Sequence, residues 1–370
     1  MSYLASPRPA HRSNAARPAL VAALLLASTA CASRDAAPGT AVLVDTTASP
    51  SVTTESGGIA VAAAPPIGPG AGAAARGPNG LGRIPVLEYH LIGDKNATYE
   101  RTREGLRKDL EVLYARGYRP VNMTDVLDRK LDLPKGMSPV VLVFDDASPS
   151  QFRYVEKNGE LEIDPTSAVG IIENFRKARP DWQARGVFCL LSGAEAGRSF
   201  FGNKNIEGQK TEWRFRKVQW LQQQGYELCN HTLWHANLAR YSDAVVQEQI
   251  ARGQLAIDSA VPGYRVRTFA LPQGAWPKNR ALAHEGSWTD PKTKRTIRYR
   301  NDAILEVAGG PTRSPFDPEF NPRSVKRVQV IGDSMVTRTL DQLERAGQRY
   351  VSDGSRESVA RVPAKVAAKH

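Results

Sequence analysis

The run Val140-Val141-Leu142-Val143-Phe144 is apolar at every position and stops on Asp145-Asp146. A stretch this short and this rich in valine reads as a strand buried on both faces, which is the mark of a parallel sheet. Comparable runs recur at Ile84 to Tyr89, Gly186 to Leu191, Tyr226 to Asn230 and Arg267 to Leu271. Helical patterns separate them. Leu106, Leu110 and Leu113 share one helix face, with Gly117 as the stop signal. Thr124 is expected to cap a helix carrying Val126, Leu127 and Leu131. Phe215, Val218 and Leu221 mark another that ends at Gly225, and Ser242 opens a long one through Val246 and Ile250. Such alternation predicts an α/β fold, a mostly parallel sheet wrapped by helices, open or closed into a barrel.

Working outward, Asn158-Gly159 between Gln151 to Val155 and Leu161 to Ile163 is a type I′ hairpin signal. Two more inserts, Phe200 to Trp213 and His284 to Tyr299, follow later strands. Loops after strand ends line the active site of α/β barrels, so all three read as rim elements. Cys189 and Cys229 fall inside two strands. Buried free thiols are the first expectation, and a disulfide between neighbouring strands is the alternative in an oxidising compartment.

Before this region the composition changes. Arg8, Arg12 and Arg17 precede the apolar stretch Leu20 to Leu26, and small residues run from Ala27 to Cys31. Basic start, short apolar core and small-residue cleavage site describe an export signal over residues 1–31. Ser28-Thr29-Ala30-Cys31 resembles the lipobox of bacterial lipoproteins, with Cys31 as the lipidated residue and membrane anchor. Cleavage after Cys31-Ala32 would instead free the protein. Residues 32–80, dominated by Ala, Gly, Pro, Ser and Thr, cannot bury enough surface to offset ordering entropy. They read as a spacer with a mean reach on the order of 40 Å. The folded domain is expected over 81–354, with a flexible basic tail over 355–370.

The whole chain has 370 residues, 24% of them charged and 41% apolar, which excludes a wholly disordered or fibrous protein. Three cysteines cannot make a disulfide scaffold, and no apolar run approaches the roughly 20 residues that span a bilayer. Nearly all of the +12 net charge belongs to the region after Gly80. A basic surface attracts anionic glycans, acidic lipid or nucleic acid alike, but no nucleic-acid-binding motif accompanies it. Nucleic acid is therefore not an expected partner.

The chemistry gathers at strand ends. Two adjacent carboxylates at the mouth of a buried strand repel one another and need a cation or a shared proton. His231-Thr232-Leu233-Trp234-His235 follows the strand that ends at Asn230. Six histidines in this length predict on the order of 0.1 such i,i+4 pairs by chance, so the spacing is informative. Two imidazoles and one carboxylate make a facial set that leaves positions open for water and substrate.

With these motifs assembled, the chain resembles the polysaccharide deacetylases, the NodB-homology enzymes of carbohydrate esterase family four. Phe144-Asp145-Asp146 matches the family's first motif, and His231, Thr232 and His235 match its second. Pro272-Gln273-Gly274 matches the end of its third, and Tyr89-His90 looks like the opening of one branch. The resemblance covers roughly Arg83 to Val330 and implies an irregular (β/α) barrel with rim hairpin and loop insertions. It implies that Asp146, His231 and His235 hold one divalent metal ion, zinc by the ligand set. Asp145 would be the base that deprotonates the attacking water, and the Gln273 backbone N–H would help hold the oxyanion. Pro272, Gly274 and Trp234 would contact an acetylated polysaccharide.

Three departures from the family pattern stand out. Ala147 replaces a common glycine, a minor change if the backbone stays at negative φ. Ala270 stands where many members carry an arginine that orients the base, which leaves Asp145 without that partner. The late Leu-x-His motif is missing, so the general acid falls to His90, with His284 as the lesser candidate. The leading expectation is an exported N-deacetylase of an N-acetylhexosamine glycan. The alternatives are an O-acetyl esterase of xylan or another glycan, and an inactive glycan-binding envelope lipoprotein.

Overall fold

The computed structural model describes residues 77–194 and 198–355. The export signal, Cys31, most of the spacer and nearly all of the basic tail lie outside the described residues. Seven parallel strands close into a ring in chain order. They are β1 (Val86–Tyr89), β2 (Ser138–Asp145), β3 (Val187–Leu190), β4 (Glu227–Asn230), β5 (Thr268–Ala270), β6 (Ala303–Gly309) and β7 (Val325–Gln329). Closure comes from β1, which pairs with β7 on one side and β2 on the other. A further strand, Tyr118–Pro120, pairs with the start of β2 outside the ring. The barrel form of the α/β fold is the one adopted.

All five expected strands are present, but β6 and β7 escaped the sequence reading. Ala-Ile-Leu-Glu-Val-Ala-Gly and Val-Lys-Arg-Val-Gln carry charges and glycine that disguise buried strands. Those charges turn out to be functional in their placement, because side chains alternate between the two faces of a strand. On one face Val86, Val141, Val143, Val187, Cys189, Cys229, Ala270, Leu305 and Val325 cluster inside the barrel. On the other, Leu87, Tyr89, Leu142, Phe144, Phe188 and Leu228 pack with the helices outside. The same parity puts Glu88, Asp145 and Arg327 inside, where burial is almost complete.

The surrounding helices are α1 (Arg103–Ala115), α2 (Ala168–Lys177), α3 (Trp213–Gln224), α4 (Asp243–Ala260) and α5 (Met335–Arg345). Helix α1 buries Leu106, Leu110 and Leu113 as the spacing requires. Gly225 ends α3 at φ 100°, a left-handed cap that glycine adopts without steric cost. The helix expected after Thr124 is only Met123–Leu127, capped by Asn122 and Asp125 rather than by Thr124, and Leu131 lies beyond it. The Asn122 side chain accepts from Gly186 N–H and donates to Gly225 C=O, so the cap also ties this turn to two neighbouring segments.

Cys189 and Cys229 sit directly opposite one another on β3 and β4 and form a disulfide, so the free-thiol expectation is overturned. Parity explains it. Both residues point inward from adjacent strands in register, which brings their sulfurs together.

The Asn158-Gly159 turn has φ of 54° and 82°, as a type I′ turn requires, between strands Tyr154–Lys157 and Glu160–Ile163. This hairpin is held to the 200–213 insert by a buried lysine. Lys217 Nζ donates to Phe201 C=O at 2.6 Å and to Gln209 Oε1 at 2.7 Å. The Gln209 amide in turn bonds the backbone of Tyr154 in both directions. Burial, then Arg153, pushes Lys217 down to about 7. Between pH 7 and the ordinary lysine range the unfolded chain thus binds more protons than the folded one. Stability from this group is lost as pH falls toward 7 and regained above it, by at most about 1.4 kcal/mol per pH unit. The Tm of Lys217→Met relative to wild type is therefore expected to fall from pH 7 to 10. Thermal unfolding across that range checks it, and a flat difference would mean that Lys217 titrates normally.

Candidate active site

The site lies at the carboxyl ends of the strands, in an open cleft of about 280 Å³. Asp145 ends β2 on the inward face. By alternation Asp146 would point outward, but its φ of 81° turns it back over the barrel mouth. Ala147 follows at φ 49°, so the condition under which its replacement of glycine would be minor is not met. A left-handed alanine costs on the order of 1–2 kcal/mol, which glycine would avoid. Phe201 N–H donates to the Ala147 carbonyl and holds the turn.

After β4, Asn230 Nδ2 donates to Ile250 C=O while its Oδ1 accepts from Thr232 N–H. Helix α4 can approach this turn only because of Gly253, where a Cβ would lie 2.3 Å from Asn230 Oδ1. Thr232 and His235 take φ of 72° and 66°, and Thr232 Oγ1 accepts from His235 N–H. Left-handed residues concentrated at one mouth are a feature of functional sites. The result is that His231 and His235 turn toward Asp146. Asp146 Oδ1 lies 3.5 Å from His231 Nε2 and 3.4 Å from His235 Nε2.

These three residues fit a divalent metal. Two donors each about 2.1 Å from an ion at a tetrahedral angle stand roughly 3.4 Å apart, the spacing found. Asp146 Oδ1 and His231 Nε2 are buried and have no hydrogen-bond partner. His231 Nδ1 lies 2.9 Å from the Ala270 carbonyl, a contact that places the proton on Nδ1 and leaves Nε2 free to ligate. Burial, reinforced by His231, pushes His235 down to about 4, so its ring is neutral at physiological pH. Burial pushes Asp146 up, but the imidazoles around it more than reverse this and hold it well below the usual carboxylate range.

Asp145 does have an arginine partner, contrary to the expectation from Ala270. Arg327, on β7 two strands beyond β5, reaches Asp145 with Nη1 at 3.0 Å from Oδ1 and 2.9 Å from Oδ2. Its Nε donates to the Glu306 carbonyl and lies 3.1 Å from Glu88 Oε2. Burial pushes Asp145 up, and Arg327 together with the His231 and His90 rings outweighs it, so the carboxyl remains ionised and fit to accept a proton. The signal in the sequence was a charged residue at an inward position of Val325-Lys326-Arg327-Val328, legible only after the strand is recognised. Arg327→Lys keeps a positive charge but loses the fork that fixes Asp145. It is expected to lower kcat by about 10²-fold with metal content intact, since small misplacements of a reacting group cost that much. Wild-type kcat would show that Asp145 needs no such partner.

His90, after β1, also lines the cleft, and its Nε2 lies 3.5 Å from Glu88 Oε1. Gln151 Nε2 ties the ends of β1 and β2 by donating to both the His90 and Asp145 carbonyls. Tyr99, more than half exposed, meets the His90 ring edge-on at 5.1 Å. Leu271 and Gln273 also line the cleft, the latter at φ 57° with Oε1 accepting from Asn237. Pro272 is buried beneath this turn, and Gly274 packs against Val307. Trp234 is exposed between the two histidines. His284 is not in the cleft wall; its ring lies 6.2 Å from Trp276. Neither hairpin contributes to the cleft wall, because 154–163 packs on the 200–213 insert and 285–300 packs on α4. Of the rim region, Arg198 enters, 3.1 Å from Asp146 Oδ2. Tyr99, Arg198, Glu88 and Arg327 were not singled out from sequence.

Residues 190–286, which carry both histidines and the Pro-Gln-Gly turn, match the family described as polysaccharide deacetylase. Over this stretch the chain is similar to the polysaccharide deacetylases. Among solved structures it is similar to the deacetylase PplD of Streptococcus pyogenes, solved in complex with acetate. The two share 16% identity over 71% of this chain and 99% of that one, with a TM-score of 0.51. That likeness shows a shared barrel fold. BC0361, a polysaccharide deacetylase from Bacillus cereus, is 15% identical over 70% of this chain and 69% of its own, at a TM-score of 0.48. IcaB from Ammonifex degensii is 17% identical over 70% and 96%, at 0.46.

Proposed function

We propose that this protein is a polysaccharide deacetylase, an exported, metal-dependent hydrolase that removes N-acetyl groups from an N-acetylhexosamine glycan. The observation that carries the reading is the convergence of Asp146, His231 and His235 beside the Arg327-held Asp145. Bound there, a divalent ion, zinc by the donor set, would supply Lewis acidity and a water of lowered pKa. Asp145 takes the proton of the attacking water, and the Gln273 backbone N–H faces the developing oxyanion. His90 Nε2 gives a proton to the departing amine, which leaves poorly without one. Export is supported by the basic-apolar-small pattern of residues 1–31 and by a Cys189–Cys229 disulfide, a bond that persists in oxidising compartments. Anchoring through a lipid on Cys31 is part of the same reading.

The test is product analysis with zinc-loaded protein on peptidoglycan, chitin oligomers, poly-N-acetylglucosamine and acetyl-xylan. Release of acetate with a new free amine supports it. Acetate from acetyl-xylan alone would make the protein an O-acetyl esterase, and no release from any, with metal bound, a glycan-binding protein. For the anchor, Cys31→Ser is expected to convert a membrane-associated protein into a soluble or unprocessed one. Lipid labelling that persists in that variant would overturn it.

A further inference from the structure

The mechanism above uses Asp145 and His90 but leaves a third buried ionisable group beside them, Glu88. It sits on β1 two residues before His90, so strand alternation places both on the inward side. The Glu88 side chain is wholly buried, and neither oxygen makes a hydrogen bond of good geometry. Oε1 stands 3.5 Å from His90 Nε2 and Oε2 stands 3.1 Å from Arg327 Nε, whose hydrogen is directed at the Glu306 carbonyl. The charges of Asp145 and His231 act on it, and the Gln329 side chain approaches it as a hydrogen-bond donor. A carboxyl group buried with its oxygens this incompletely satisfied is costly and calls for an explanation. A metal between Glu88, His90 and Asp145 would be one, since their donor atoms lie within 4.8 Å of one another. The Arg327 guanidinium already supplies the cation for that trio, in contact with both carboxylates.

We propose that Glu88 is a positioning residue for the proton donor: it shares one proton with His90 and keeps Nε2 supplied at the cleft. The inference rests on the reading of His90 as the general acid. His90 is poorly suited to that role alone, because burial lowers its proton affinity and favours the neutral ring. Burial pushes Glu88 the other way, up to about 8, so at neutral pH the proton resides within the pair. The side chain of Glu88 is closed to solvent while that of His90 is partly open, so the proton reaches the cleft through the imidazole. The 3.5 Å separation supports an imidazolium without capturing its N–H. The single proton of the pair passes from the Glu88 carboxyl to His90 Nε2 and from there to the leaving nitrogen, which leaves Glu88 as the carboxylate and His90 as the neutral ring until solvent refills the pair through His90. Arg327, touching both carboxylates, keeps the acid pair and the base from drifting apart.

The experiment compares Glu88→Gln, His90→Ala and the double variant, zinc-loaded, on an N-acetylglucosamine oligomer and on 4-nitrophenyl acetate. Glu88→Gln is expected to lower amide kcat by about 10- to 100-fold, as loss of an orienting partner does. Ester kcat should change less than about threefold, and the double variant should be no slower on the amide than His90→Ala alone. Equal loss on both substrates would overturn the proposal, because Glu88 would then act through Arg327 on Asp145. Additive loss in the double variant would overturn it too. If His90→Ala loses amide turnover selectively and Glu88→Gln does not, this inference fails while the function stands. If His90→Ala keeps amide turnover, the acid assignment fails and takes the inference with it. Nitrogen NMR of the histidine rings decides independently of any substrate. The wild-type His90 ring should respond to two titration steps belonging to the pair, and Glu88→Gln should leave one, at lower pH. An unchanged His90 titration would show that Glu88 is only structural.

Discussion

Replacing His235 by alanine is expected to remove bound metal and hydrolytic activity together. His235 is the most exposed of the three ligands, so truncating it opens space for water without collapsing the barrel. The remaining Asp146 and His231 offer two donors, one short of the set that holds a catalytic ion. Loss of a mere outer-shell partner costs about 10- to 100-fold, so removing a ligand should exceed 10²-fold in both metal affinity and turnover. Metal analysis after dialysis, alongside acetate release, checks this. Full activity in protein without metal would end the hydrolytic reading of the site, whatever the substrate.

The second large effect separates the two halves of the proton traffic. General acid catalysis contributes roughly 10²- to 10⁴-fold, or about 3 to 5 kcal/mol at 1.36 kcal/mol per decade. A phenolate leaves unaided, whereas an amine does not. His90→Ala is therefore expected to lose about that factor on an N-acetylated glycan while retaining metal and much of its aryl-acetate turnover. Asp145→Ala should impair both reactions, since each needs the attacking water deprotonated. It also leaves Arg327 buried with one partner fewer, so thermal stability should drop as well. Amide turnover of His90→Ala within about threefold of wild type would make His90 structural and move the search for the acid elsewhere. His284, outside the cleft wall, offers no ready substitute.

Much of this was open to reading in the sequence, for identifiable reasons. Val140 to Phe144 is apolar without interruption because β2 is covered on both sides, by helices outside and barrel core inside. The strand bearing Asp145 and the turn bearing His231 and His235 are local features, so their chemistry travels with their residue order. The type I′ turn at Asn158-Gly159 and the cap at Gly225 were legible because each needs positive φ that few residues accept. The residue pattern left open whether the sheet closes, and the expectation of a barrel came from the family resemblance alone. Strands β6 and β7 hold Glu306, Lys326 and Arg327, which break the apolar pattern by which the other five announce themselves.

The partner of Asp145 was hidden for the same cause. Reading Ala270 locally leaves the base without an arginine, yet Arg327, 182 residues from Asp145 in sequence, reaches it across the barrel. The Cys189–Cys229 bond, the inward turn of Asp146 at φ 81° and the placement of Glu88 against both His90 and Arg327 are of this kind. The sequence by itself determined which residues bear charge, which can ligate and where the five apolar strands lie. Which of those groups meet was decided by the closed ring, because closure alone turns the inward faces of seven separate strands toward one axis. A buried charge is tolerable there only where another strand delivers its counter-charge.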